Sequence, residues 1–168
     1  ANFAASREPA FVLACISGLQ QAAQADLTDR YHGQWKVSIA RALAAQCQDL
    51  ASAKEDLAMA AACVEGLRNL SVGTSAPRAV CWVATSGLSN ITLAFHPGAT
   101  AALAYAALSS CMSLREKACG GFKGAIHAIG HIAFASESDE LAAMATASLA
   151  EAFGGAHEGE RLAVAASG

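Results

Sequence analysis

A chain of 168 residues with a formal net charge of −3 and only 15% charged residues presents no basic field to attract phosphates, which speaks against nucleic-acid binding. Hydrophobic residues make up 54% of it, aromatics only 6% and alanine about a quarter, a composition suited to closely packed helices and poorly suited to a sheet. Six cysteines, none closer than eight residues to the next, show no CxxC or zinc-knuckle spacing, and they read as free core thiols in a reducing intracellular compartment, the cytoplasm.

In chain order, Ser6-Arg7-Glu8-Pro9 predicts a first helix with Ser6 as N-cap, running through Phe11, Val12, Cys15, Ile16 and Leu19. A polar connector from Asp26 to Gly33 leads into a helical period at Trp35, Val37, Ile39, Leu43, Cys47 and Leu50. Ser52 and Glu55 match a capping box, so a new helix is placed from Ser52 through Leu57, Met59, Cys63, Val64, Leu67 and Leu70. Gly73 to Pro77 breaks the chain, and Arg78 to Phe95 follows as a helix interrupted near Gly87. His96-Pro97-Gly98 is the strongest stop, because proline blocks helix continuation and glycine supplies unusual backbone angles.

A helix over 99–112 comes next, then a short charged helix from Leu114 to Cys119 and the pair Gly120-Gly121. The helix from Phe122 to Ala135 is expected to turn Ile126, Ile129, Ile132 and Phe134 inward. Ser136-Glu137-Ser138-Asp139-Glu140 opens the last full helix with carboxylates at its positive end, and Gly154-Gly155 is read as its end. The runs 79–95 and 97–114 carry no Asp, Glu, Lys or Arg, yet Ser, Thr, Asn, Gly and Ala dilute both below the hydrophobicity of a good membrane span.

Across these elements a pattern recurs. Leu108 stands 41 residues after Leu67 and 41 before Leu149, each preceded by small residues. Such a period is the mark of stacked repeats, in which one unit cannot bury its apolar face without a neighbour. The expected fold is an all-α, right-handed α-α superhelix of about four units, divided as 1–25 (partial), 26–73, 74–114, 115–155 and 156–168 (partial). Apolar residues at both ends, Phe3, Phe11 and Val12 at one and Leu162 to Ala166 at the other, lead to the expectation of flanking repeats or self-association.

Leu67-Arg68-Asn69-Leu70-Ser71 resembles the end of the third helix of armadillo repeats, and Gly120-Gly121-Phe122 resembles the glycine before their second helix, with Ser86-Gly87-Leu88 a looser match. HEAT repeats share the period and the helical hairpin. The resemblance, which covers most of the chain from about residue 52, implies an extended concave surface lined by third-helix positions. In peptide-binding armadillo proteins an asparagine ladder there clamps an extended peptide; Asn69 matches it, whereas Ser110 and Glu151 stand at the corresponding places of the next repeats. Glu65 stands where the family carries a tryptophan.

Candidate chemistry is sparse. His127 and His131 are four apart, a spacing that can offer two imidazoles to one metal, but Ala128, Ile129 and Gly130 fill the gap and no HExxH glutamate is present. Glu137, Asp139 and Glu140 are ordinary acids at a helix start, and no GxSxG elbow or phosphate-binding glycine motif occurs. The reading is a non-enzymatic scaffold without cofactor that binds an extended or helical protein segment through Asn69, Arg68, Glu65, Tyr105, Ser110 and Glu151. Two alternatives stand beside it: a helical bundle holding a metal or haem through His127 and His131, and a structural subunit of a large, membrane-associated assembly.

Overall fold

The computed structural model describes residues 14, 17, 18, 21, 32–52, 57–72, 78–113 and 120–166, with the side chains of 32, 33, 35, 47–52 and 155–166 left aside. Six helices carry the described chain: α1 His32–Ser52, α2 Leu57–Val72, α3 Arg78–Phe95, α4 Ala99–Ser113, α5 Gly121–Ala135 and α6 Asp139–Ala166. The protein is all-α over these residues, and none of the helices is long and apolar enough to cross a membrane. Most of the expected first helix, the break at 73–77 and the charged helix at 114–119 lie outside the described residues.

The stop at 96–98 falls where expected, between Phe95 and Ala99, but Gly98 does not have the positive φ that its residue type suggested. The backbone N–H of Gly98 donates to the Phe95 carbonyl at 2.7 Å and closes the turn. A Cβ on Gly98 would stand 2.8 Å from that same oxygen, so only glycine fits the approach. At the start of α6 the Ser138 hydroxyl accepts from the Leu141 N–H at 3.3 Å, an N-cap bond, and Asp139 and Glu140 occupy the first turn as expected.

Each helix packs on the next and, for most, on the next but one: α1, α3 and α5 touch in succession, as do α2 and α4, and α3 meets all four of its neighbours. The helices therefore pack as two layers with an apolar seam between them. Leu67, Leu88, Ile91, Leu108, Ile129, Ile132 and Leu141 are fully buried in that seam, each contributing roughly 1.5–3 kcal/mol of transfer free energy. Of the three repeated leucines, Leu67 and Leu108 are completely enclosed and Leu149 packs partly buried against the same core. Cys63, Cys81 and Cys111 are buried and form no disulfide, in keeping with the reading as core thiols.

Four expectations need correction. Gly87 does not interrupt α3, which runs unbroken from Arg78 to Phe95; a Cβ there would come within 2.8 Å of the Ala44 Cβ, so the glycine is the notch that lets α1 lie close. For the same reason its loose match to a glycine that precedes a helix fails. Gly154-Gly155 does not end α6, which continues to Ala166, since glycine in a helix costs only about 1 kcal/mol relative to alanine and still supplies its N–H. Phe134 does not face inward but is 92% exposed, being two residues from Ile132 and so about 200° around the helix from it. Ser52 belongs to the last turn of α1, and Glu55 of the expected capping box lies outside the described residues.

Candidate functional site

The helices α2, α4 and α6 carry all six residues expected to contact a partner. On α2 the pattern Leu67-Arg68-Asn69-Leu70-Ser71 splits by face: Leu67, Leu70 and Ser71 are buried, while Arg68 and Asn69 are half-buried. Ser71 donates its hydroxyl proton to the Leu67 carbonyl at 2.9 Å, which satisfies it within the core.

Arg68 donates to both carboxylate oxygens of Glu65, from Nε at 2.9 Å and from Nη2 at 2.7 Å. Pairing with Glu65 raises the guanidinium above its ordinary pKa. One helical turn separates the two residues, Glu65 exposed and Arg68 half-buried, and solvent reaches the pair, so it stabilises by only about 0.2–0.5 kcal/mol, but it fixes a planar fork beside Asn69. The Asn69 carboxamide makes no hydrogen bond among the described residues.

On α4, the Ser110 hydroxyl donates to the Ala107 carbonyl at 2.7 Å, leaving its oxygen lone pairs as the group it can offer outward. Beside it, burial pushes the Cys111 thiol up to about 11, opposed by a hydrogen bond with Ser110 and by the Arg68 charge, so α2 and α4 meet electrostatically at this point. Cys111 is therefore protonated at neutral pH and packs as a core group.

Tyr105 is buried, and its hydroxyl lies 2.8 Å from that of Ser148 on α6. Burial raises its pKa, partly offset by the Ser148 bond. The residue thus supports the surface from beneath. Glu151 is exposed and lines a groove of about 380 Å³ between α4 and α6 with Ser109, Met112, Ser113, Ser148 and Ala152.

Sequence reasoning missed Ser148, Ser109 and Met112. The signal for Ser148 was the register itself, since it immediately precedes Leu149 as Ala107 precedes Leu108. Met112 carried no signal beyond its apolar character.

A second concavity, of about 580 Å³, opens where α3 ends and α6 begins, between Asn90, Leu93, His96, Ser136, Glu137 and Leu141 among others. Glu137, read from sequence as a helix-start acid, lines it.

His127 and His131 lie on α5 and both reach α3. The His127 ring rests against Trp82 with centroids 4.5 Å apart and planes tilted by 51°, and His131 Nδ1 is 3.2 Å from the Ser89 hydroxyl oxygen. Among the described residues no group of three His, Cys, Asp or Glu side chains is placed to hold a metal ion. No protein-family model, curated protein or solved structure matches the chain.

Proposed function

We propose that the chain is a non-enzymatic scaffold of armadillo or HEAT type that binds an extended or helical protein segment across the face shared by α2, α4 and α6. The observation that carries this reading is the half-buried Asn69 carboxamide, which has no hydrogen-bond partner among the described residues. A half-buried amide without such a partner offers two donors and an acceptor to an incoming segment. A peptide backbone supplies the complementary pair. The Glu65–Arg68 fork on one side and the α4–α6 groove on the other extend the surface in the directions such a segment would run. Fold alone does not carry this assignment; the site does.

Site-directed photo-crosslinking tests where the segment lies. Peptides selected from a display library against the folded chain should crosslink to a photoreactive residue placed at Ser109. They should not crosslink to one placed at Trp82, on the other layer; equal yields at both positions would reject the assigned face.

A further inference from the structure

His127 and His131 lie four apart on α5, and both are exposed. Side chains at that spacing share one helix face. Contacts with α3 hold both rings in place. Trp82 flanks the His127 ring, centroids 4.5 Å apart. Ser89 on α3 is buried, and its Oγ lies 3.2 Å from His131 Nδ1 and 3.2 Å from the Ala128 carbonyl oxygen.

A hydroxyl has one proton to give, and a carbonyl can only accept. Both contacts are hydrogen bonds together when Ser89 donates to Ala128 and accepts from His131, the tautomer with the imidazole proton on Nδ1. Nε2 is left as a bare lone pair directed away from that bond. An acceptor that holds Nδ1–H and thereby fixes ring and tautomer is what orients histidines toward metals. Gly130, on the same face, has no atom within 4 Å of where a Cβ would stand, so the approach beside the two rings is open.

We propose that His127 and His131 form a two-imidazole site for a borderline divalent transition-metal cation, with water completing the coordination. Among the first-row divalent ions, nitrogen ligands favour copper(II) most. No third protein ligand joins them among the described residues, so the ion exchanges with solvent and is not a structural staple. The site lies on the α3–α5 side and is independent of the partner face on α2, α4 and α6.

Trp82 supplies the readout, because a paramagnetic copper(II) ion bound beside His127 quenches the neighbouring indole. The experiment titrates the full chain with copper(II) chloride in a non-chelating buffer and follows tryptophan emission. The expected result is a saturable loss of emission that is reversed by EDTA and absent in Trp82→Phe. Affinity should fall at least about tenfold in His131→Asn and in His127→Gln, both surface changes that leave the helix intact. Ser89→Ala, with unchanged far-ultraviolet circular dichroism, should weaken binding by about tenfold through loss of the tautomer lock. Electron paramagnetic resonance should show two nitrogen donors. Non-saturating quenching, or saturable quenching unchanged in both histidine variants, would overturn the site; full affinity in Ser89→Ala would overturn the role given to the serine.

Discussion

Tyr105 and Ser148 bring their hydroxyls to 2.8 Å across 43 residues of sequence, and this bond ties α4 to α6 beneath the groove. Tyr105→Phe keeps the buried ring and deletes only the bond. We expect a loss of about 1 kcal/mol in urea unfolding, with little change in the dependence on denaturant. An unaltered midpoint would show that the two hydroxyls are equally well served by water.

The two kinds of helical glycine should respond oppositely to alanine. At Gly87 the new Cβ would meet the Ala44 Cβ at 2.8 Å, a contact with the body of α1 and not with a mobile side-chain tip, so Gly87→Ala should cost roughly 1–3 kcal/mol. At Gly154 nothing lies within 4 Å, and Gly154→Ala should gain up to about 1 kcal/mol from helix propensity. Thermal midpoints shifting in the same direction for both would contradict the packing described.

Ile132 and Phe134 form a second contrast. Ile132 is fully enclosed and Phe134 is 92% exposed. Ile132→Ala should cost roughly 2–5 kcal/mol, whereas Phe134→Ala should stay within about 0.5 kcal/mol. Chemical denaturation of the two variants checks this, and comparable losses would place α5 in the wrong rotation.

Alkaline stability reports on Cys111. Burial holds its thiol protonated up to about 11 against an ordinary value of 9.0. The folded state therefore keeps a proton that the unfolded chain releases, and the associated stability is fully present below pH 9 and lost as pH rises toward 11. The loss amounts to about 3 kcal/mol. Tyr105, also raised by burial, acts in the same direction. Unfolding free energies measured from pH 8 to 11 should fall less steeply in Cys111→Ala than in the native chain; parallel curves would contradict this account of the thiol.

Helix limits were legible at two places where residue chemistry acts locally, but not at Ser52 or Gly154-Gly155. His96-Pro97-Gly98 and Ser138-Asp139-Glu140 announce their turn and cap in the sequence, and the structure places both there. The rotation of the helices was less legible. Phe134 on α5 looked like core by residue type although its place two residues after Ile132 turns it away, and Gly87 on α3 looked like a breaker. A glycine that admits a neighbouring helix and one that ends its own are the same letter; only the position of Ala44, 43 residues earlier, distinguishes them. At the candidate site Asn69 stood out through its leucine-flanked pattern. The Tyr105–Ser148 bond did not, because its partners meet only after α4 and α6 have packed.

The role assigned to Asn69 is tested most directly by peptide affinity. Segments selected against the native chain should bind Asn69→Ala about five- to a hundredfold more weakly, the loss of one or two backbone hydrogen bonds at a half-buried position. The same segments should bind Asn90→Ala, changed at an exposed asparagine on α3, with native affinity. Native affinity for Asn69→Ala, or an equal loss in both variants, would contradict the account.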